Sequence, residues 1–427
     1  MQPYVTIVCM KSINLFIVSL IVLLLLKLSA VASIPTPKII LNTPIKANTL
    51  RTVPVQKSNL TQTAAQPLDS TLFSTSKAGT ILPDEAQTNI ACGQIPNGTI
   101  LVAWAKKTPE NKHVGEAMFF TENMEFMKSV YFTFPSDSYQ IGKIVVLGLE
   151  NNSFLIAYSD INTHNGKYII LKDNGTPLFE PVTFSDSVVD SVTLTLLPGN
   201  ETILLSYQKY SDISAKGEYQ VLGLTGNKIS GPITFNSKGM GTGMVPVVNN
   251  GLLDYYFGCG FSRSKTIDLF GNVIRDDVTF WHKANRAYQP ILLENGNSLV
   301  LCIDDNYKPV SYLLDPQGVR LSGPTQFLTD DLFEISAVKL NSGHIFVEYT
   351  STGGFKQRSS YITLLDENGN RIKEVKSIGD EFKVGSDKVA YTILNNKKAL
   401  VVYSGMLWNE NGNLSQKTTG YKIFTIE

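Results

Sequence analysis

Five aspartates recur at one kind of position, at intervals close to multiples of about 50 residues. Each lies two or three residues after the apolar or aromatic residue that closes a β-rich run: Asp84 after Ile81, Asp137 after Phe134, Asp186 after Phe184, Asp330 after Phe327 and Asp380 after Ile378. Converging carboxylates could bind Ca²⁺ or accept hydrogen bonds from sugar hydroxyls. The alternative remains open that these aspartates cap turns by bonding nearby backbone N–H groups.

Two neighbouring copies of this position lack the aspartate. Asn236-Ser237-Lys238 follows Phe235, and a basic and aromatic run containing Trp281, His282 and Arg286 follows Phe280. Turn chemistry alone does not explain why these residue types occur at adjacent copies. We therefore predict a ligand site in which Trp281 stacks on the ligand and Arg286 meets an anionic group.

Signatures of known catalytic and metal centres are absent from the sequence. It contains no His-Glu-x-x-His, no paired Cys-x-x-Cys, no Gly-x-Ser-x-Gly and no phosphate-binding glycine loop. The four histidines are isolated from one another in sequence. No catalytic residue is predicted.

A repeat of about 50 residues sets the spacing of the candidate residues. Seven apolar runs each follow a tight Asn or Gly turn and close at Trp104, Tyr158, Tyr207, Tyr256, Cys302, Tyr349 and Tyr403. Each copy continues through two more strand-like runs joined by a second tight turn, such as Asp173-Asn174-Gly175. Four antiparallel strands at this period make one propeller blade. The sequence predicts an all-β, seven-bladed β-propeller over residues 74–427.

The seventh copy ends after its third strand, which would leave an exposed sheet edge. Counting back from Trp104 by the spacing found in the other copies leads to the apolar residues Thr80-Ile81-Leu82. We predict that about Ser74 to Leu82 supplies the fourth strand of the last blade.

With strands A to D in each blade, the B–C and D–A connections lie at one face of the ring. These connections vary most in length, and variable loops on a rigid scaffold commonly carry function. The longest B–C loop, in the last blade, contains Trp408. Trp408 is a candidate peripheral contact for a sugar or protein, although it could equally fold back and fill its own loop.

The N-terminal segment has the features of an export signal. Lys11 precedes an apolar run from Ile13 to Leu26, and Ala30-Val31-Ala32 follows it. We predict a signal peptide over residues 1–32, with an uncleaved membrane anchor as the alternative. The Pro-, Thr-, Ser- and Gln-rich residues 33–73 predict a disordered tether. The protein is therefore expected to be secreted or at the cell surface, with membrane contact only through an uncleaved N-terminal segment.

The repeat units resemble those of secreted β-propeller repeat proteins, which read roughly Asn-Gly-x-x-aliphatic-Val-x-aromatic, then Gly-x-Tyr, then Asp-x-x-Gly-Asn. The resemblance covers about 340 residues. It implies the blade architecture and no particular activity, since functionally diverse proteins share these motifs. The Asp boxes of sialidases, the Gly-Gly pairs of Kelch repeats and the Trp-Asp pairs of WD repeats do not recur.

The overall charge limits the classes of partner. Lys plus Arg and Asp plus Glu number 37 each, so the chain lacks the basic excess typical of nucleic-acid binders. Two functions remain: a module that binds a glycan or protein through the B–C and D–A loops, or a glycoside-cleaving, sialidase-like or other, propeller enzyme with paired carboxylates. The absence of catalytic motifs favours the binding module.

Overall fold

Tight turns with an asparagine or aspartate and a glycine divide the chain into strands. The computed structural model describes residues 73–83, 88–108, 110, 112–133, 141–160, 165–187, 189–197, 199, 201–211, 214–236, 245–249, 252–259, 261–283, 286–351, 359–373, 376–378, 388–394, 398–408 and 414–426. In the turns that begin at Asp268, Asp315 and Asp366, the carboxylate accepts the backbone N–H groups two and four residues later. These bonds fix five-residue hairpin turns that join consecutive antiparallel strands.

The strands form seven four-stranded antiparallel sheets, and each sheet is one blade. Blades one to three contain β2 (Thr88–Gln94), β3 (Ile100–Lys107), β4 (His113–Phe120) and β5 (Phe126–Tyr131); β6 (Ile141–Leu149), β7 (Ser153–Asp160), β8 (Asn165–Lys172) and β9 (Val182–Ser185); and β10 (Val189–Leu196), β11 (Thr202–Ser211), β12 (Ser214–Gly223) and β13 (Lys228–Asn236). Blades four and five contain β14 (Val245–Asn249), β15 (Leu252–Cys259), β16 (Phe261–Asp268) and β17 (Val273–Trp281); and β18 (Arg286–Leu292), β19 (Ser298–Ile303), β20 (Pro309–Leu314) and β21 (Arg320–Gln326). Blade six contains β22 (Leu332–Lys339), β23 (Ile345–Ser351), β24 (Ser360–Leu365) and β25 (Lys376–Ser377). Blade seven contains β26 (Lys388–Leu394), β27 (Lys398–Trp408), β28 (Leu414–Ile426) and, from the other end of the chain, β1 (Phe73–Pro83). The described residues contain no helix, so the predicted all-β, seven-bladed β-propeller is confirmed.

The ring closes by exchange between the two ends of the chain. Strand β1 pairs antiparallel with β28, from Phe73 opposite Ile426 to Pro83 opposite Thr418. Ile81 and Leu82 pack against the apolar cluster between blades seven and one. The fourth strand predicted for the last blade is therefore present, and it begins one residue earlier and ends one residue later than expected.

The apolar cores lie between blades. Each pair of neighbouring blades shares one cluster, including the pair formed by blades seven and one. Trp104 and Tyr349, two of the residues that close the apolar runs, are fully buried in such clusters. Each blade therefore depends on its neighbours for burial of its faces, and burial of one large apolar side chain contributes roughly 1.5–3 kcal/mol.

One predicted strand end is displaced. The fourth strand of blade one was expected to end near Phe134, but β5 ends at Tyr131 and the next residue, Phe132, is buried. The Phe132 ring fills the space where a Cβ on Gly115 would lie. Phe184 occupies the matching place over Gly166 in blade two, so a glycine on the third strand determines which aromatic residue ends the fourth.

The signal peptide predicted for residues 1–32 lies outside the described residues. So does the tether predicted for 33–73, except for Phe73. No helix that could cross a membrane occurs in the described part of the chain.

Candidate functional site

The connections of the propeller lie at two faces. We call the face with the A–B and C–D turns the turn face, and the face with the B–C and D–A connections the loop face. At the loop-face end of five innermost strands (β2, β6, β10, β18 and β22), the register with the second strand shifts by one extra residue. Such bulges change the direction of side chains and are frequent beside functional sites.

The predicted aspartates are described in two of five cases. Asp84, Asp137 and Asp380 lie outside the described residues, whereas Asp186 and Asp330 are exposed on the loop face. The Asp186 carboxylate lies 3.0 Å from Nζ of Lys209 on β11. The hydrogen bond and charge of Lys209 lower the pKa of Asp186, so this carboxylate already has a protein partner.

The two described aspartates lie near equivalent tyrosines of the next blade. Burial raises the pKa of the Tyr207 phenol, and the Asp186 carboxylate adds to the increase. Burial likewise raises the pKa of Tyr349, and Asp330 adds to it. Both tyrosines lie on second strands, so these carboxylates lie near the second strand of the following blade.

The predicted basic and aromatic residues begin at Trp281, the last residue of β17, and continue after it. The half-buried Trp281 ring packs 5.8 Å from the ring of Tyr312, and the Arg320 guanidinium lies 5.0 Å above it. Both partners belong to blade five, so part of the indole surface serves packing between blades. His282 is exposed, Arg286 begins β18, and Trp408 ends β27.

Ion pairs and hydrogen bonds join the loops around the B–C turn of blade five. We define the blade-five platform as His282, Lys283, residues 304–308 and residues 329–333. Lys308 Nζ lies 2.6 Å from Oδ1 of Asp331 and donates a 2.8 Å hydrogen bond to the carbonyl of Thr329. The backbone N–H of Leu332 donates to the carbonyl of Tyr307 at 2.7 Å, and Lys283 pairs with Asp305 at 3.3 Å. These bonds hold three consecutive loop-face connections in one arrangement.

Tyr307 adopts a backbone conformation that usually belongs to glycine. Its φ is 63°, and its side chain remains 42% exposed. The Asp304 carboxylate accepts the N–H groups of Asn306 and Lys308, the same bonding found in the turn that begins at Asp315. That turn has Gly318, with φ 73°, in the place of Tyr307. A left-handed non-glycine residue costs roughly 1–2 kcal/mol.

A second group of polar residues lies at the innermost strands. Glu348 on β23 is 5% exposed, and its Oε1 is buried with no hydrogen-bond partner. Burial, with a smaller contribution from the charge of Glu334, raises the pKa of Glu348 to about 8 against the opposing charge of Lys143. We call Glu334, Glu348 and Lys143 the axial group.

Tyr307 and the axial group were not identified from the sequence, although signals for both are present. Asp-Asp-Asn-Tyr-Lys has a tyrosine where the related turns have glycine, and Phe-Val-Glu-Tyr has a carboxylate in an otherwise apolar run. Neither signal has meaning until the turn geometry and the burial are known.

The described residues contain no group of three or more His, Cys, Asp or Glu side chains arranged to hold a metal ion. Ca²⁺ at the predicted aspartates stays a prediction. Cys92 and Cys302 are buried.

Comparison with known proteins identifies the fold. No protein-family model matches the sequence, and no curated protein matches it either. The polysaccharide lyase Uly1 is similar in structure, with a TM-score of 0.53 and 10% identity, covering 79% of this chain and 90% of that one. A protein of unknown function from Dyadobacter fermentans has a TM-score of 0.48 and 10% identity, covering 84% of this chain and 100% of that one. An AofleA mutant from Arthrobotrys oligospora has a TM-score of 0.44 and 10% identity, with coverage of 71% and 90%. At this identity the likeness to the lyase shows the fold alone.

Proposed function

We propose that this protein is an exported glycan-binding propeller that recognises its ligand through the loop face. The observation that carries the proposal is Tyr307, an exposed ring on a left-handed residue, where the three related turns that begin with Asp268, Asp315 and Asp366 have glycine. Backbone strain that a glycine would relieve, at a residue whose side chain is not buried, is typical of functional positions.

The chemistry of the blade-five platform suits a sugar. The face of an aromatic ring packs against the apolar face of a pyranose, while carboxylates and ammonium groups bond its hydroxyls. Asp305 and Lys308 flank Tyr307 in sequence, and the ion pairs with Lys283 and Asp331 order both side chains. A rigid platform loses little conformational entropy when a ligand binds.

The predicted site residues extend the same surface. His282 belongs to the platform, and Asp330 lies beside Asp331. We retain both as proposed ligand contacts, together with Trp281 and Arg286. The four other predicted aspartates, Asp84, Asp137, Asp186 and Asp380, are retained as well. A protein ligand is the second occupant that this face could take.

Other features are consistent with an extracellular carbohydrate role. One similar structure is a polysaccharide lyase, and the repeat units resemble those of secreted propeller proteins. The apolar N-terminal run supports export, and the balanced charge argues against nucleic acid as a partner. We favour binding over cleavage because no catalytic signature occurs in the sequence.

A glycan array probed with the purified protein tests the proposal. We expect binding to at least one saccharide class, and loss of that binding in Tyr307→Asn, because asparagine tolerates left-handed backbone and lacks the ring. The matched control is Phe270→Asn, which removes an exposed ring (80% exposed) from the turn face. Equal loss in both variants, or no binding to any saccharide, would contradict the proposal. Release of reducing ends from a bound polysaccharide would establish the cleaving alternative.

A further inference from the structure

Glu348 occupies a position that is apolar in most other blades. It is the second-strand residue just before the closing tyrosine, and the matching residues in blades one, two, five and seven are Ala103, Ala157, Leu301 and Val402. Each of these four packs in the interface with the following blade. A leucine therefore fits this place in the fold, and packing does not require a carboxyl group there.

The structure leaves this carboxyl group incompletely bonded. Oε1 of Glu348 is buried and accepts no hydrogen bond from the described residues. An unsatisfied buried polar atom is rare in proteins and calls for an explanation, such as a bound ligand. The burial of Glu348 thus destabilises the fold in the absence of a partner.

Glu334 lies beside Glu348 on the innermost strand of the same blade. Ser336 is directly opposite Glu348 in the ladder, and Glu334 precedes Ser336 by two residues, so all three side chains share one face. Diagonal neighbours of this kind are about 7–8 Å apart at Cα, within reach of long side chains. Glu334 is exposed, so the face that these side chains share reaches solvent at Glu334.

Lys143 acts on the Glu348 carboxyl group from another part of the ring. It lies on β6, the innermost strand of blade two, and blades one and seven separate it from blade six. Its charge opposes the rise in the pKa of Glu348, so the ammonium group acts electrostatically on this carboxyl group. The register of β6 shifts between Ile141 and Ile144, at the residues that set the direction of Lys143.

Two hydroxyl groups lie beside the axial group. Ser336 Oγ and Tyr391 Oη are 3.1 Å apart, and they join the innermost strands of blades six and seven. The surroundings of the buried carboxyl therefore combine acceptors, donors and an ammonium group.

We propose that Glu334, Glu348 and Lys143 form an axial subsite that binds the hydroxyl groups of a single sugar ring. This proposal rests on the glycan-binding function above. The mixed charges identify the ligand class, because Lys143 repels a cation and Glu334 repels an anion. A neutral polyhydroxyl ring can donate to the carboxyl oxygens and accept from the ammonium group at once.

Saturation-transfer NMR with methyl glycosides of glucose, galactose, mannose, rhamnose and xylose tests the axial subsite. Methyl glycosides present a single ring to the axial group, and oligosaccharides also probe the blade-five platform. We expect at least one methyl glycoside to bind the full-length protein. Glu348→Leu and Lys143→Met should each weaken that binding by about tenfold or more, the effect of losing a ligand hydrogen bond.

Two controls separate this subsite from the platform. Glu348→Leu places in blade six the residue that blade five uses, so the variant is expected to fold, and its thermal midpoint checks this. Phe270→Asn, which changes an exposed ring of the turn face, should leave methyl glycoside binding unchanged, and Tyr307→Asn should weaken oligosaccharide binding. If oligosaccharides bind through Tyr307 while Glu348→Leu has no effect on any ligand, the axial subsite is wrong and the proposed function stands. If no methyl glycoside binds the wild type, the axial subsite is also wrong.

Discussion

Two turns of blade five share one backbone conformation and differ at one residue. Asp304–Lys308 lies on the loop face and has Tyr307 in the left-handed position, whereas Asp315–Val319 lies on the turn face and has Gly318 there. Both aspartates bond the same two backbone N–H groups. The turn face thus has the residue that best fits the turn, and the loop face has one that costs free energy.

The same contrast separates Leu301 from Glu348. Both lie just before the residue that closes the second strand, and the leucine packs in an apolar cluster while the glutamate leaves an oxygen unpaired. Residues that cost stability are expected where function selects them. Tyr307 lies on the loop face, and Glu348 lies opposite Ser336 of an innermost strand.

Placing a tyrosine in the turn-face turn should have the largest effect. A Cβ on Gly318 would overlap Ser264 Oγ and lie 3.0 Å from the Arg275 guanidinium. Gly318→Tyr should therefore lower the free energy of unfolding by about 3–4 kcal/mol, from overpacking and left-handed strain together. Urea denaturation measures this. Gly343→Tyr, where nothing lies closer than 3.7 Å, should lose only the strain of about 1–2 kcal/mol.

The stability of the protein should depend on pH through Glu348. Its pKa is about 8 in the folded chain and 4.5 in the reference state, so the folded chain holds the proton more tightly. The stability from this proton is full below pH 4.5 and is lost as pH rises through about 8. Of its neighbours, Tyr391 stays neutral in this window because burial raises its pKa, and the charges of Glu334 and Lys143 act on Glu348 in opposite directions.

Wild type should lose about 3–4 kcal/mol more than Glu348→Gln between pH 5 and pH 8.5. Denaturant titrations at several pH values provide the comparison. Identical pH profiles for the two proteins would show that Glu348 is not a buried, proton-binding carboxyl group.

Trp281 is a second aromatic residue of the loop face, and it differs from Tyr307 because its ring packs against the next blade. Because its ring contacts Tyr312 and Arg320, Trp281→Ala should lower stability by about 2 kcal/mol, roughly half the cost for a fully buried ring. Thermal unfolding measures this, with glycan binding recorded on the folded variant. Lost binding at a temperature where the variant is fully folded would show that Trp281 also contacts the ligand.

The smallest effect on stability is expected at the ion pair between Lys308 and Asp331 of the platform. Lys308→Met removes the contacts with Asp331 and Thr329 but keeps the apolar stem. Partly exposed pairs contribute less than about 1 kcal/mol, so stability should barely change. Oligosaccharide affinity should fall about two- to fivefold as the platform becomes less rigid. A stability loss as large as that of Trp281→Ala would show that Lys308 supports the fold instead.

The sequence predicted the architecture well because the fold repeats. Seven copies of one turn-and-strand pattern give the blade number, and the missing strand at the end of the chain leads directly to Phe73–Pro83. The same repetition misled at Phe134, since only the glycine on the neighbouring strand shows that Phe132 is the buried residue. Local patterns do not contain that contact.

The candidate site was less accessible to sequence reasoning. The aspartates were found by their spacing, but spacing does not reveal that Asp186 pairs with Lys209. Glu348 and Lys143 are more than 200 residues apart in the chain, and only closure of the ring brings them together. Their pairing depends on tertiary structure alone.

The most direct test of the central claim is the free energy of unfolding of Tyr307→Gly, measured by urea denaturation beside the wild type. If the tyrosine is retained for ligand binding at the expense of stability, the glycine variant should be more stable by about 1 kcal/mol and should lose oligosaccharide binding. A variant that is less stable than the wild type, or one that binds oligosaccharide equally well, would contradict the account.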